Sequence, residues 1–159
     1  MLKIRRYRTE DNKAIKELNS AGMTQMDPTG EIHKIPHVDD DLDDIEGIYL
    51  SQGDFIVGIE GDEVVAMGAF KRMTPQCAEF KRLRIRPDRQ RQGYGEVIMR
   101  RLMELAADMG YTEGFLDTLV TNTRAQKLFE KCGWVKRGGG KRGGFALHYY
   151  RKKLNHGGE

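Results

Sequence analysis

The stretch Gln90-Arg91-Gln92-Gly93-Tyr94-Gly95 joins two segments of regular pattern. Residues 77–86 alternate apolar and charged side chains, which predicts a strand, and residues 93–109 repeat apolar side chains at helical spacing. The two glycines of the turn let the backbone approach a ligand closely. The first turn of the following helix presents free N–H groups and a positive dipole end. The segment therefore predicts an anion site suited to a phosphate or pyrophosphate.

Two common phosphate-binding motifs do not fit this turn. The dinucleotide fingerprint would need a third glycine where the chain has Ile98, and no Gly-Lys-Ser/Thr sequence of a P-loop occurs in either glycine-rich segment. We expect Arg86, Arg89 and Arg91 to add mobile positive charge around the turn. The turn is therefore either an anion site of another kind or a glycine turn before a helix that binds no ligand.

The elements around the turn predict a mixed sheet with helices. In chain order we expect a strand at 2–7, a helix at 10–19, a loop at 20–38, a helix at 39–50, strands at 54–60, 63–71 and 77–86, a helix at 93–109, a strand at 114–119, a helix at 123–132, and strands near 134–137 and 145–151. The glycine-rich segment 138–144 is predicted as a loop that is mobile or becomes ordered on a ligand. Hairpins followed by a strand–helix–strand crossover indicate an α/β (α+β) fold with a mostly antiparallel sheet of six to seven strands and about four helices.

Length and composition restrict the class of protein. The 159 residues are consistent with one domain, which we place at 1–153, followed by a disordered C-terminal tail at 154–159. No apolar run approaches the ~18 residues of a membrane helix, and the N-terminus lacks the apolar stretch of a signal peptide. Cys77 and Cys132 form no disulfide framework. We therefore expect a cytoplasmic protein without a membrane partner.

Charge is distributed unevenly along the chain, although its net value is only +3. The segment 39–46, DDDLDDIE, holds six carboxylates, whereas basic residues dominate from Lys81 to Arg101. This pattern suggests a cationic partner near the front and an anionic partner near the back, or else an ordinary solvated surface. Because no aromatic stacking platform is interleaved with the basic stretch, we do not expect nucleic acid as the partner.

Two motifs together resemble the GNAT superfamily of N-acetyltransferases. Residues 90–95 match its Gln/Arg-x-x-Gly-x-Gly/Ala motif, placed after a strand and at the start of a helix. Residues 122–134, NTRAQKLFEKCGW, resemble the family's Asn-x-x-Ala-x-x-Leu-Tyr-x-Lys-x-Gly-Phe element. The order of elements is similar from residue 2 to about 151, so the resemblance covers nearly the whole chain.

The resemblance implies acetyl-CoA as the cofactor and assigns its contacts residue by residue. The backbone amides of Gln90, Arg91, Gln92, Gly93, Tyr94 and Gly95 would hold the pyrophosphate. The backbone groups of Leu83 and Ile85 would pair with the pantetheine arm, and the amide of one of them would polarise the thioester carbonyl. Asn122, Ala125 and Phe129 would border the cofactor.

Catalysis requires a group that produces a neutral amine, because an amine of pKa about 10.4 is only about 0.04% neutral at pH 7. Glu79 is the first candidate for general base, since part of the family has its base at the matching position of this strand. The alternative is a surface or ion-paired glutamate. Ile85 is a second catalytic candidate, because its backbone amide could polarise the thioester carbonyl. Many family members have a proton-donating tyrosine where this chain has Phe129, so the general acid is unassigned, with Tyr149 or Tyr150 as open possibilities.

Several other residues carry weaker signals. His33 and His37 have metal-like spacing, but Pro36 lies between them and only two cysteines are available, so no metal site is expected. Cys132 is expected to be structural. The resemblance places the acceptor pocket between 21–50 and 137–149, where the acidic segment 39–46 would favour a cationic acceptor unless it is merely a solvated helix.

The function expected from the sequence is an acetyl-CoA-dependent N-acetyltransferase. It would transfer an acetyl group to a primary amine of a small molecule or peptide by direct attack on the thioester. The alternative is a non-catalytic sensor or interaction module that binds CoA on the same fold. Small members of the family often dimerise, so a homodimer is an open expectation.

Overall fold

A single seven-stranded sheet organises the chain, and a computed structural model describes it over residues 1–155. The strands are β1 (Lys3–Arg6), β2 (Asp54–Glu60), β3 (Glu63–Arg72), β4 (Cys77–Ile85), β5 (Glu113–Leu119), β6 (Val135–Arg142) and β7 (Phe145–Lys153). The helices are α1 (Asn12–Met26), α2 (Ile45–Tyr49), α3 (Tyr94–Asp108) and α4 (Thr123–Lys131). Short 3-10 turns cover Thr9–Asp11, Glu31–Lys34, Asp40–Asp43 and Pro87–Arg89.

The strand order is β1-β2-β3-β4-β5-β7-β6, and every neighbouring pair is antiparallel except β4 and β5. The parallel pair is short, because only Cys77–Glu79 of β4 are in register with Glu113–Phe115 of β5. Beyond these residues the two strands have no paired positions. The predicted fold class, a mixed and mostly antiparallel sheet with about four helices, is confirmed.

Helices cover both faces of the sheet. On one face α3 and α4 pack over strand residues such as Ile56, Phe70 and Phe80. On the other face α1 and α2 pack over their strand neighbours, among them Phe55 and Val57. Phe55 and Val57 point to one face of the sheet and Ile56 to the other, which is the period-two pattern of a strand with both faces buried.

The first helix is longer than predicted. We expected it to end at residue 19, with a loop at 20–38, but α1 continues to Met26. Gly22 and Met23 are buried and continue the inward-facing spacing begun by Ile15 and Leu18. Glycine lowers helix propensity by only about 1 kcal/mol relative to alanine, and burial of the following turn outweighs that cost.

The predicted helix at 39–50 is also corrected. A 3-10 turn at Asp40–Asp43 comes first, and α2 begins only at Ile45. Between them the Asp44 side chain accepts a hydrogen bond from the amide of Gly47 at 3.1 Å. Aspartate favours such capping positions over helix interiors because its short carboxylate competes for backbone amides.

The segment 138–144 is not a loop. Its residues as far as Arg142 belong to β6, which pairs with β7, and only Gly143 and Gly144 form the turn. Their φ angles are +54° and +87°, and a tight hairpin turn of this kind needs positive φ at both central residues. The glycines of 138–140 carry no side-chain pattern, so the pairing with β7 is invisible in the sequence.

The end of the chain is ordered slightly beyond the predicted domain boundary. Leu154, which the sequence placed in a disordered tail, is buried, and its amide donates to the carbonyl of Thr112 at 2.9 Å. The rest of the predicted tail, 156–159, lies outside the described residues.

Candidate active site

The divergence of β4 from β5 opens a cleft through the sheet, and two adjoining cavities occupy it. We name the first the gap cavity; it has a volume of about 420 Å³ and lies between Phe80–Arg84 of β4 and Leu116–Leu119 of β5. The second, the turn cavity, has a volume of about 560 Å³ and lies against Leu83–Ile85 and the glycine-rich turn. Both cavities share one set of lining residues, Met26, Leu83, Arg84, Asn122 and Ala125. A long, thin ligand can therefore extend from one cavity into the other.

The backbone of β4 offers free polar groups to this cleft. The amide of Arg86 donates to the carbonyl of Val65 on β3 at 2.8 Å. Because hydrogen bonds alternate in direction along an antiparallel strand, the backbone groups of Leu83 and Ile85 point away from β3, toward the gap. The carbonyl of Ile85 accepts a hydrogen bond from Gln90 Nε2 at 3.2 Å, in agreement with that direction. The amides of Leu83 and Ile85 are thus available to a ligand in the cleft.

The glycine-rich turn has the geometry of an anion cradle. Gly93 precedes α3 with φ +83°, and the first intrahelical bond runs from the amide of Val97 to the carbonyl of Gly93 at 3.1 Å. The amides of Gly93, Tyr94 and Gly95 come before that bond and have no partner within the helix. A Cβ on Gly95 would lie 2.9 Å from Leu128 Cδ2, so a larger residue there would require the Leu128 side chain of α4 to shift. These residues fit a bound pyrophosphate.

The charges around the turn are distributed differently from the expectation. Arg86 is paired with Asp88 at 2.7 Å and Arg89 with Glu60 at 2.5 Å, so neither is free to follow a ligand. Arg91 lines the turn cavity and has no carboxylate within 4.0 Å among the described residues. Arg91 is therefore the arginine of the three that remains available to a phosphate.

The other turn residues differ in whether they line the turn cavity. Gln90, Tyr94 and both glycines line the turn cavity, whereas the exposed side chain of Gln92 does not. The Gln90 amide exchanges hydrogen bonds with Gln25 of α1 at 2.7 and 3.0 Å and also contacts Arg124. The hydroxyl of Tyr94 donates to Glu60. Gln92 can act only through its backbone.

The start of α4 forms the opposite wall of the cleft. Asn122 caps the helix, since its Oδ1 accepts from the amide of Ala125 at 3.3 Å, which leaves its Nδ2 free to donate. Asn122 and Ala125 line both cavities, and Phe129 lines the gap cavity. All three predicted residues therefore border the cleft.

No tyrosine takes the place of the absent general acid. The buried ring of Tyr150 lies 5.9 Å from that of Phe129, but its hydroxyl donates to Glu130 at 2.9 Å. Burial and the neighbouring Glu130 raise the pKa of Tyr150 to about 12. Neither Tyr149 nor Tyr150 lines either cavity.

Glu79 lies beside the gap cavity and not in its lining. It is half-buried at the last position of β4 that pairs with β5, where it lies opposite Phe115. Its charge acts on Lys81 and Arg142, which both line the cavity. Among the described residues no cation lies within 4.0 Å of the Glu79 carboxylate, so its oxygens are available to water or an acceptor.

The sequence interpretation missed Asp117. This residue lines the gap cavity, and its side chain, 17% exposed, is paired with Arg142 at 2.7 and 3.3 Å. An aspartate inside the otherwise apolar strand 115–119 is the signal that could have identified it. The hairpin that supplies Arg142 was predicted as a loop, which hid the pairing.

The acidic segment 39–46 is only partly occupied by partners within the protein. Its two less exposed carboxylates, Asp39 and Asp41, both pair with the buried Arg82. The other four are exposed and make local contacts: Asp40 with His37, Asp43 with Lys16, Asp44 with the amide of Gly47, and Glu46 with Tyr7. The hypothesis that the segment attracts a cationic acceptor stays a prediction.

The cysteines and histidines lie outside the cleft chemistry. Cys77 and Cys132 are buried free thiols, and burial raises the pKa of both. Over residues 1–155 no group of three or more His, Cys, Asp or Glu side chains is arranged to hold a metal ion. In the same residues no helix has the length and apolar character needed to span a membrane.

Comparison with known proteins identifies the class that this fold and cleft define. The sequence profile of the acetyltransferase (GNAT) family matches residues 15–134. Human N-acetyltransferase 8 is 33% identical over 106 residues, which cover 62% of this chain and 46% of that protein. The uncharacterized N-acetyltransferase YsnE of Bacillus subtilis (strain 168) is 28% identical over 114 residues, 70% of each chain. The matched region thus spans about half the length of the human relative.

Solved structures show the same fold. A GNAT-family acetyltransferase from Staphylococcus aureus Mu50 superposes with a TM-score of 0.82 at 18% identity, over 98% of this chain and 100% of that one. The PaiA N-acetyltransferase of Thermoplasma acidophilum, solved in complex with coenzyme A, gives a TM-score of 0.79 at 14% identity, over 96% and 99% of the two chains.

The chain belongs to the acetyltransferase (GNAT) family. The resemblance predicted from the two motifs is therefore confirmed. The enzyme class and acyl donor that the sequence predicted, an N-acetyltransferase and acetyl-CoA, are those of this family.

Proposed function

We propose that this protein transfers the acetyl group of acetyl-CoA to a primary amine of a small molecule or peptide by direct attack on the thioester. The observation that supports the proposal best is the cleft itself. The backbone groups of Leu83 and Ile85 face a gap that begins where β4 and β5 cease to pair, and the cradle of 93–95 lies at its end. A thioester arm and a pyrophosphate need these two features at adjacent places.

The residues of the cleft divide the work as follows. When bound, acetyl-CoA supplies an activated acyl thioester. The amides of Gly93, Tyr94 and Gly95 hold its pyrophosphate at the positive end of α3. The amide of Leu83 or Ile85 donates to the thioester carbonyl oxygen, where negative charge develops. Phe129 donates no proton, and a thiol of pKa near 8.5 leaves readily enough without one.

We assign the general base to Glu79, acting through one water molecule. Asp117 lies closer to the cavity, but Arg142 occupies both of its oxygens. Glu79 has no such partner among the described residues and lies beside the cavity lining. A base can act through one intervening water, so this position does not prevent the role.

The direct test is thiol release from acetyl-CoA across a panel of primary amines. Gly93→Asp should abolish CoA binding, because it adds a side chain and a negative charge at the anion cradle. CoA binding by Gly93→Asp equal to that of the wild type would contradict the assignment of the cradle. Saturable CoA binding without turnover on any amine would instead favour the non-catalytic CoA-binding module.

The base assignment has its own test. Glu79→Gln should lower kcat at neutral pH by about 10²- to 10⁴-fold, the usual contribution of a general base, and should remove the acidic limb of the pH–rate profile. Asp117→Asn is the matched control, since it neutralises the neighbouring carboxylate. If Asp117→Asn shows the larger loss and Glu79→Gln keeps the full rate across pH, the base is Asp117.

We also propose a cytoplasmic location and leave the homodimer as a prediction. The buried free thiols of Cys77 and Cys132 suit a reducing compartment. Sedimentation equilibrium of the purified chain measures its assembly state.

A further inference from the structure

Strand β4 presents a cation to the cleft that has no carboxylate partner. The Arg84 guanidinium donates to Asn19 Oδ1 at 3.2 Å and to the Leu83 carbonyl at 3.0 Å. Among the described residues no carboxylate oxygen lies within 4.0 Å of it. Arg84 lines both the gap cavity and the turn cavity.

The fold makes room for this arginine at one position of α1. A Cβ on Gly22 would lie 2.5 Å from Arg84 Cδ, so any larger residue there would displace the side chain. Gly22 is buried within the helix, where glycine otherwise lowers stability. The arginine is therefore seated by the helix and held on Asn19.

A second cation of β4 lines the same cavity. Lys81 is half-buried, lines the gap cavity and has no carboxylate within 4.0 Å among residues 1–155. Burial lowers the pKa of Lys81, while the more distant charges of Glu79 and Asp41 act in the opposite direction. Burial, together with the smaller effect of the nearby charge of Arg82, lowers the pKa of Arg84 to about 10. Both groups are cations that an anion would stabilise.

Two further arginines of the gap cavity are already paired, and the unpaired carboxylate of Glu79 lies beside the lining. Arg82 lies between Lys81 and Arg84 on β4 and is paired with Asp41 at 2.5 Å and with Asp39 at 3.1 Å. Arg142 is paired with Asp117 at 2.7 Å. The uncompensated charge of the gap cavity is therefore positive, and it lies on β4.

We propose that Arg84, assisted by Lys81, binds a carboxylate of the acceptor, so that the acceptor is an amine that also bears a carboxylate. The inference rests on the proposed function and names the substrate class of the same site. The rest of the gap cavity is lined mostly by apolar side chains, among them Met23, Ile32, Val38, Leu119, Phe145 and Leu147. The acceptor that fits this cavity therefore has an apolar body.

Because Arg84 also lines the turn cavity, the anion it binds could instead belong to the cofactor. The two sources are separated by a binding measurement on the CoA complex, with N-acetyl-L-leucine and its carboxamide as probes. These probes have the product's acetylated amine, which does not titrate, and differ only in the carboxylate. Isothermal titration should give roughly ten- to hundredfold tighter binding of the carboxylate, the strength of a charge-assisted hydrogen bond.

Variants locate the effect. Arg84→Met should remove the preference for the carboxylate and leave the affinity for CoA unchanged, and Lys81→Met should reduce the preference by a smaller factor. Arg84→Lys should retain part of it, and the unchanged CoA affinity of Arg84→Met shows that its loss of preference is not a failure to fold. Arg101→Met, at an exposed site of α3, is the matched control and should behave as the wild type.

Three results would overturn the proposal: equal affinity for the two probes, no measurable binding of either, or weaker CoA binding by Arg84→Met with the preference intact. These outcomes are independent of turnover. If none of the amines supports thiol release although the carboxylate preference is present, the proposed reaction is wrong and the carboxylate site still holds. Where turnover occurs, the ratio of kcat/KM for L-leucine and L-leucinamide should fall in Arg84→Met relative to the wild type.

Discussion

At the scale of single residues, Arg82 fixes the shape of β4. It has φ +61°, an uncommon backbone conformation for arginine, at a place where the register with β3 shifts between Met67 and Ala69. Its guanidinium is buried and bonded to Asp41, Asp39 and the carbonyl of Val38. These bonds hold the bulge that turns the following residues, beginning with Leu83, toward the cleft.

The Asp41–Arg82 pair makes a prediction about stability. Asp41→Asn should lower the free energy of unfolding at pH 7 by about 3 kcal/mol, because it leaves a buried arginine without its main counter-charge. Urea unfolding measures the difference. Asp43→Asn is the control, since Asp43 is exposed and its pair with Lys16 should contribute less than about 1 kcal/mol.

The sign of the pH dependence follows from the same pair. Burial alone would raise the pKa of Asp41, but the hydrogen bonds and charge of Arg82 outweigh it and hold that pKa below the ordinary value of an aspartate. The stabilisation is therefore fully present above the unfolded pKa and is lost as the pH falls through the lower, folded pKa. The difference in free energy of unfolding between the wild type and Asp41→Asn should decrease only below about pH 4. A difference that already decreases near neutral pH would contradict the pairing.

The sequence predicted backbone sites better than side-chain partners at this scale. The glycine positions of the turn follow from local geometry, since Gly93 needs φ +83°. The partners of Arg82 and Arg84 depend on contacts with residues 41–65 positions away, which no local pattern encodes. The acidic segment was therefore recognised as unusual, but its pairing with Arg82 was not predicted.

At the scale of elements, the start of α4 joins stability to cofactor binding. Asn122→Ala should destabilise the protein by about 1 kcal/mol through loss of the helix cap, and should raise the KM for acetyl-CoA because the free Nδ2 donor is lost. Asn122→Ser separates the two effects. Serine restores the cap, so thermal unfolding should return to the wild-type temperature while the KM stays high; full recovery of both would show that Nδ2 has no part in binding.

Elements with a clear apolar pattern were predicted closely, whereas segments without one were not. The spacing of apolar residues in 93–109 located α3 within one residue at each end. In contrast, α2 has five residues and the strand end 138–142 consists mainly of glycine and basic residues, so neither carries enough pattern. Tertiary pairing decides such segments.

At the scale of the whole molecule, the sheet consists of two parts that meet at three residue pairs of β4 and β5. One part contains β1 to β4 and the other β5 to β7. The cleft continues this junction, and its lining comes from both parts, including Leu83 from one and Leu119 from the other. A ligand in the cleft therefore connects the two parts where the backbone does not.

Ligand binding should consequently be visible in both parts at once. CoA at about 100 times its Kd should raise the free energy of unfolding by about 2.7 kcal/mol. Hydrogen exchange should slow at residues 83–85 and also at 116–119, while the β1–β2 edge serves as the internal control. Protection confined to 90–95 would mean that CoA binds at the turn without entering the gap.

The short junction also affects how the chain is made. Strands β1 to β4 are joined in an antiparallel series, so they can form from the first half of the chain as it leaves the ribosome. The edge of β4 that faces away from β3 then stays unpaired until β5 has been synthesised. Even afterwards, the stretch of β4 beyond Glu79 has no paired strand on that side. Bare strand edges are where nascent chains pair with the wrong neighbour. The edge of β4 that borders the cleft is thus also open to mispairing during biosynthesis.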